Sequence, residues 1–473
     1  MCKAMHIIPT PLSINKKVSV ERPIRPYIWG DTRFDRQLRS FAEYIMRIFG
    51  ISLFAGRGGI EVIYNEKFTG EEYSVSVREC VCVSAGTERG IACGLATVLQ
   101  LFQKKNGTLY IDEVEIKDRP VSGYRGLMLD LARKRHTVDQ IKTYIDICFY
   151  FKIKYLQLHF TDDQSYTLPS DVMPKICTTG AAYTRMQIAD ICVYAQNRGI
   201  ILVPEIDIPG HARPFIQAYP EIFSNNLSDG RTQNAICIGH DLSRPALKAL
   251  IREVADMFPE SPLIHIGGDE ADLQQWADCP RCNAYMKRYG LADVHALYCQ
   301  FIREMTDYVL SLGRIPVVWE GFGEQYMSEI SRSVLVIAWE SLYCTPDRLL
   351  AGGFTVINAS WEPLYIVPCE RGSRKDWRYG DVLQWDMFTW RNWWEKSKAA
   401  ISPIRVSPKE RVIGGQLCVW ECSFEEAAER VIENLAALSE RTWAADRSCN
   451  SEIFVERLAA ARGKLRCLSD ILW

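Results

Sequence analysis

Between residues 124 and 419 short apolar runs recur, separated by stretches in which apolar residues return every three or four positions. Runs without internal alternation are what strands buried on both faces of a parallel sheet look like, and the intervening periodicity is that of amphipathic helices. Eight runs are read: Tyr124 to Asp130, Tyr155 to His159, Ile200 to Glu205, Leu263 to Ile266, Ile315 to Trp319, Leu335 to Trp339, Phe354 to Asn358 and Val412 to Val419. Eight is the number of βα units that closes a (β/α)8 TIM barrel, so the expected class is α/β. From about Phe424 the pattern turns helical, with Val431, Leu435, Leu438 and Trp443 on one face, as a last barrel helix with a packing extension would have.

The chain before Pro120 is patterned differently. Glu61 to Asn65 and Tyr73 to Val77 read as short strands, and Gly86 to Gln103 as a turn leading into an apolar helix carrying Ile91, Leu95, Val98, Leu99 and Phe102. A strand over Tyr110 to Ile116 closes this part. The turn Asp118-Arg119-Pro120 is a natural boundary, because the residue before a proline avoids the helical region. The expected organisation is a small α+β domain over residues 1–120, then a catalytic barrel with a C-terminal helical extension over residues 121–473.

Composition narrows the function classes. Of 473 residues 48% are hydrophobic and 24% charged, the balance of a soluble globular protein. Lysine and arginine number 56 against 58 acidic residues, so no basic excess favours a nucleic acid or an anionic lipid surface as partner. Met1 to Thr10 lacks the long apolar segment and cleavage site of a leader peptide, and charges interrupt every apolar run before it could span a bilayer. Seventeen cysteines, an odd number scattered through apparent strands and helices, suit a reducing compartment, and the expected location is the cytoplasm. Nothing in the pattern sets an oligomeric state.

In a barrel of this kind the C-terminal ends of the strands build the active site. Here those ends carry Asp130 and Arg133; His159, Asp162 and Asp163; Glu205, Asp207 and His211; Asp269 and Glu270; Trp319 and Glu320; Trp339 and Glu340; Asn358 and Trp361; and Trp420 and Glu421. The segment His265 to Glu270 ends an apolar run in two glycines and two adjacent carboxylates. A carboxyl pair is what glycosidic cleavage needs, one acid kept protonated and one carboxylate kept ionised; the plain alternative is that the two acids cap the following helix, and the chemistry gathered at the other strand ends speaks against it. Histidines and carboxylates converge in a way that could hold a metal. However, neither His159 to Gln164 nor Glu205 to His211 has the paired-histidine spacing of a zinc hydrolase, and an Asp–His pair steering a neighbouring acid accounts for them without an ion. No cofactor is expected. Eleven of the 13 tryptophans follow residue 300, and those at strand ends suit the walls of a sugar pocket. Cys279-Pro280-Arg281-Cys282 lacks a second ligand pair at the usual spacing and reads as an ordinary thiol-bearing loop.

Arg125-Gly126 with Asp130 and Arg133, His159 to Gln164, Pro204 to His211, His265 to Glu270, and Trp420 together resemble the family 20 glycoside hydrolases, the β-N-acetylhexosaminidases. The resemblance runs from about Gly86 to Trp443. It implies an exo-acting, retaining enzyme whose substrate is a carbohydrate with a terminal β-linked N-acetylhexosamine, the sugar's own acetamido oxygen acting as nucleophile. By motif position it makes Glu270 the general acid and base, Asp269 the group that orients the acetamido, and Asp162 and His211 the pair behind the acid. Arg125 would hold the sugar's outer hydroxyls, His159 would belong to the pocket, Trp319, Trp339 and Trp420 would wall it, and Tyr365 would bond the acetamido oxygen. Where many members have an aspartate two residues after that tyrosine, this chain has Val367, and where many have a glutamate two residues after the last tryptophan, it has Cys422 with Glu421 beside it. Both positions usually contact outer hydroxyls, and Glu362 and Glu421 are the candidate substitutes. A disaccharide-releasing relative would need a roomier pocket.

Overall fold

The computed structural model describes residues 6–16, 20–227, 230–444 and 451–468. Met1 to Met5, part of the stretch read above for a leader, lie outside them. Eight parallel strands close into a barrel: β1 (Tyr124–Asp130), β2 (Tyr155–His159), β3 (Ile201–Glu205), β4 (Leu263–His265), β5 (Ile315–Trp319), β6 (Leu335–Ala338), β7 (Thr355–Asn358) and β8 (Val412–Val419). Each pairs with the next, and β1 pairs with β8 from Tyr124 opposite Gly414 to Leu129 opposite Val419. A short ninth strand, Tyr365–Ile366, adds to β8 and brings Tyr365 opposite Cys418.

The strands form where the apolar runs were read because these segments are buried on both faces; β1 has no exposed residue at all. Met128, Val203, Val317, Ile337, Ile357 and Cys418 fill the barrel interior, and Trp319, Trp339 and Tyr365 sit above them towards the mouth. Several helices start on side-chain caps that satisfy free N–H groups. Thr137 caps the helix Val138–Tyr150 and Ser423 caps Phe424–Trp443, each in a reciprocal capping box.

The N-terminal part holds a seven-stranded mixed sheet, a three-stranded sheet and the helices Asp35–Phe49 and Glu88–Leu101. The expected single strand over Tyr110 to Ile116 is two strands, Thr108–Asp112 and Val114–Asp118, in different sheets. Leu109 and Ile111 are buried on one side of the break and Val114 and Ile116 on the other, so the alternation slips by one residue at Asp112-Glu113. Such a slip turns the following side chains to the opposite face, and the chain changes sheets there. No helix among the described residues is long and apolar enough to cross a membrane.

Candidate active site

The strand ends converge on a cavity of about 160 Å³ lined by Arg133, His159, Asp162, Asp207, His211, Asp269, Glu270, Trp319, Trp339, Trp361, Tyr365, Val367, Trp420 and Glu421. After β4 the chain passes through Gly267 and Gly268, both at positive φ. A Cβ on Gly267 would lie 1.7 Å from Asp207 Oδ1, and the Gly268 N–H donates to that same oxygen at 3.1 Å. Only glycine fits between the Asp207 carboxyl and this turn. The turn sends the next two acids into different surroundings, Asp269 into the floor with 6% of its surface exposed and Glu270 to the rim with 47% of its side chain exposed.

Glu270 ends a chain of charged contacts. His211 Nε2 is 3.2 Å from Glu270 Oε2, and His211 Nδ1 is 3.2 Å from Asp162 Oδ1. The other oxygen of Asp162 meets His159 Nε2 at 3.1 Å and Arg133 Nη2 at 2.8 Å. His159 Nδ1 lies 3.0 Å from Glu205, whose carboxylate also accepts from Trp319 Nε1 at 2.6 Å and Gln157 Nε2 at 2.7 Å. Burial opposes charge on His211, but the one negative charge shared by Asp207 and Asp269, with the hydrogen bonds to Asp162 and Glu270, outweighs it and holds the imidazole protonated well above its usual range. The His211 hydrogen bond in turn lowers the Glu270 carboxyl.

Asp269 is the opposite case. Burial pushes its carboxyl up to about 6, the His211 cation opposing and Glu270 adding to the rise. Asp207, fully buried, is raised further, first by burial and then by the charge of Asp269. Two carboxyls in one dry floor cannot both ionise cheaply, so they share a proton. Asp269 Oδ1 is buried without a partner. An acceptor oxygen so placed costs free energy until a donor from outside reaches it.

Indole and phenol rings form the walls. Trp319 packs against Trp339 and Trp420 with ring centres 6.4 and 5.9 Å apart, Tyr365 lies nearly parallel to Trp339 at 6.2 Å, and Trp361 packs on both. The loop after β6 that completes the rim is gathered on one buried carboxylate: Glu320 accepts the N–H groups of Ser341, Leu342, Tyr343 and Cys344 at 2.7 to 3.2 Å. Glu340, buried beside the site, is raised to about 8 by burial and by the charge of Glu270.

Residues 123–446 match the glycosyl hydrolase family 20 catalytic domain. The chain belongs to that family. A beta-hexosaminidase of Porphyromonas gingivalis is 32% identical over 284 residues, which are 55% of this chain and 36% of that protein. Beta-hexosaminidase subunit beta of Mus musculus is 26% identical over 416 residues, 84% of this chain and 73% of its own length. The chain thus spans little more than a third of the length of the bacterial relative. In fold, a solved family 20 exo-β-N-acetylglucosaminidase of Vibrio harveyi, in complex with N-acetylglucosamine, has a TM-score of 0.82 at 22% identity, covering 98% of this chain and 77% of that one.

Within this family 20 barrel the structure brings Glu270, Asp269, Asp162, His211, His159, Trp319, Trp339, Tyr365, Trp420 and Glu421 to one cavity. Arg125 is not there. It is the second residue of β1, at the base of the barrel, roughly 17 Å of strand from Asp130 at the mouth. Its side chain is buried, paired with Glu71 of the small domain and donating to the carbonyls of Ser122 at 2.7 Å and Lys152 at 3.1 Å. The arginine in the pocket is Arg133, three residues past the end of β1, with its guanidinium 5.2 Å from the Trp420 ring centre. Asp130 fixes this loop by accepting from the N–H groups of Arg133 at 2.8 Å and Glu421 at 3.1 Å. Of the positions named for outer hydroxyls, Val367 and Glu421 line the cavity, Cys422 is buried, and Glu362 opens onto a separate cavity with Arg391 and Asp381. Asp207 and Glu340 are strand-end acids in the sequence, but only the packing sets Asp207 against Gly268 and Asp269 and brings Glu340 under the charge of Glu270.

Proposed function

We propose that this chain is an exo-acting, retaining β-N-acetylhexosaminidase that removes one terminal N-acetylhexosamine by substrate-assisted hydrolysis. The observation that carries this reading is Asp269: a buried carboxyl at the cavity floor with an unpartnered oxygen, one residue from a half-exposed acid on a histidine relay. An ordinary nucleophilic carboxylate would need no waiting donor, whereas an acetamido N–H supplies one. The family membership and the hexosaminidase names of the relatives support the same substrate class.

In this reading the sugar ring lies between the indoles of Trp319, Trp339 and Trp420. Asp269 accepts from the acetamido N–H and Tyr365 donates to its carbonyl oxygen. That oxygen attacks the anomeric carbon while the bond to the leaving oxygen breaks, and Glu270 gives the leaving oxygen a proton. In the free site Glu270 is ionised and the proton is on His211, so the acid is loaded when a bound sugar covers the carboxylate and makes its charge more costly. Glu270 then takes a proton from water, the water oxygen bonds the anomeric carbon from the face the leaving group left, and the acetamide is regenerated. Asp269 balances the positive charge of the cyclised intermediate, an interaction strongest near the transition state.

Arg133 replaces Arg125 as the cation for the outer hydroxyls. A cavity of about 160 Å³ is well under the roughly 300 to 1,000 Å³ of sites for larger ligands, which favours release of a single sugar over a disaccharide. The free thiols among the described cysteines support a reducing, cytoplasmic location.

The test is a series of aryl glycosides whose acetyl group carries zero to three fluorines. Fluorine withdraws electrons from the attacking oxygen at almost constant size, so kcat/KM is expected to fall at each step. Glu270→Gln is expected to lose far more activity on an N-acetylglucosamine disaccharide than on a glycoside of an acidic phenol, which departs unprotonated. A flat fluorine series together with a glycosyl ester trapped on a carboxylate would return the site to the two-carboxylate scheme.

A further inference from the structure

Behind the catalytic loops lies a cluster that the glycosidase chemistry does not use. Cys237, Cys279 and Cys282 are fully buried, with Cys237 Sγ 3.6 Å from Cys279 Sγ and 3.8 Å from Cys282 Sγ, and all three sulfurs within 4.8 Å of one another. Cys279 and Cys282 open the helix Pro280–Tyr289, and Cys237 comes from the long segment after β3. Zinc bound tetrahedrally to thiolates at about 2.3 Å sets neighbouring sulfurs about 3.8 Å apart. The two separations from Cys237 Sγ therefore already match the edge of such a tetrahedron.

The backbone is built for that approach. Gly239 sits where a Cβ would lie 2.5 Å from Cys282 Cα and 2.7 Å from the Arg281 carbonyl oxygen, so the two segments touch main chain to main chain. Thiolate ligands in this arrangement select zinc over the hard cations. Two of the three could instead join as a disulfide, but the third would be left unpaired in an apolar setting, and Cys237 Sγ stands nearly equidistant from the other two, which serves a tripod rather than a pair.

We propose that Cys237, Cys279 and Cys282 form a structural zinc site, with one coordination position left for a ligand from outside the trio. Its place in the fold gives it a purpose. The segment that carries Cys237 is laced to the one that carries His211: Ile236 N–H donates to the Pro209 carbonyl at 2.9 Å and Ala212 N–H to the Asn234 carbonyl at 2.9 Å. The segment that carries Cys279 and Cys282 begins with Asp269 and Glu270 and is tied across by Trp276 Nε1 to the Ile236 carbonyl at 2.8 Å. A metal on the three sulfurs fastens the loop of the acid to the loop of its histidine. The site stands on its own geometry and does not depend on the sugar chemistry proposed above.

The experiment is metal analysis of the full chain produced with zinc in the medium and purified under reducing conditions without chelator. About one zinc per chain is expected, with less than a tenth of that in Cys237→Ser and an unchanged content in Cys82→Ser, a thiol in the small domain. After removal of zinc by a chelator, cobalt(II) is expected to give the strong charge-transfer absorption of thiolate ligands, and the metal-free chain to unfold at a lower temperature that zinc restores. The cobalt spectrum of the unaltered chain decides the matter even if Cys237→Ser does not fold. A chain that takes up neither zinc nor cobalt, or whose mass shows two of these cysteines joined as a disulfide after purification under reducing conditions, overturns the proposal.

Discussion

Asp207 and Asp269 share one proton in a floor that excludes water, and the way they divide it sets the acid side of the pH profile. Burial raises the Asp207 carboxyl further than that of Asp269, so the shared proton rests on Asp207, and its hydrogen bond to Asp269 opposes the rise that burial and Glu270 impose there. Asp269 stands at about 6. In the proposed reaction it works as an anion, so kcat/KM is expected to fall as pH drops through about 6 and to be level above it, as far as this group is concerned. Asp207→Asn keeps a donor, and the limb should stay in place. Asp207→Ala removes the donor, Asp269 then holds its proton to higher pH, and the limb should move upwards. Profiles of kcat/KM for the three proteins check this, and an unmoved limb in Asp207→Ala would reject the shared proton. Asp269→Asn should lower kcat by about 10² to 10³ with little change in KM, as for loss of one charge-stabilising group.

At the scale of the element, β1 carries one arginine at its start and another three residues beyond its end, and they do unlike work. Arg133 faces the cavity with 19% of its side chain exposed, so Arg133→Ala should lower kcat/KM at least tenfold, the loss of a charge-assisted hydrogen bond worth about 1.5 to 3 kcal/mol, with a smaller loss of stability than Arg125→Ala because Asp162 keeps His159 and His211 as partners. Arg125→Ala leaves Glu71 buried without its nearest cation and should cost about 3 to 5 kcal/mol of stability, while the folded fraction keeps its kcat/KM. Measuring unfolding and kinetics on both variants separates the roles; loss of kcat/KM in folded Arg125→Ala would put that residue back into the site. The sequence already held the reason. Tyr124 to Asp130 is legible as a strand, and the mouth of a barrel lies at its C-terminal end, so a residue at its second position belongs to the base. Apolar runs locate all eight barrel strands to within a residue because both faces are buried. The strand read over Tyr110 to Ile116 failed because a single slipped residue at Asp112-Glu113 leaves the composition of a strand intact. Cys237 could not be joined to Cys279 from the sequence, since 42 residues separate them and only the packing of two barrel loops closes the distance.

Across the whole molecule, the small domain is fixed to the barrel base by charge as well as by packing. Glu71 meets Arg89 Nε at 2.8 Å, Lys154 Nζ at 3.9 Å and the guanidinium of Arg125, while Lys152 Nζ bonds Tyr73 Oη at 2.7 Å and lies 3.2 Å from Asp118, which also accepts from Trp443 Nε1 at 2.9 Å. Burial alone would raise the Glu71 carboxyl, but the cations of Arg125, Arg89 and Lys154 overcome it and hold it at about 2. The folded value lies below that of a free glutamate, so this carboxylate stabilises the fold above roughly pH 4.5, and the contribution fades as pH falls towards 2. A shift of that size corresponds to on the order of 3 kcal/mol. Glu71→Gln leaves Arg125 and Arg89 without their anion and should be clearly less stable than the parent at pH 6, but no longer has this proton to take up. The gap between the two proteins in denaturant unfolding should therefore narrow as the pH is lowered from 6 to 3. A gap that stays constant over that range would mean that the joint between the domains is held by apolar packing and that its ion pairs add nothing to the response to acid.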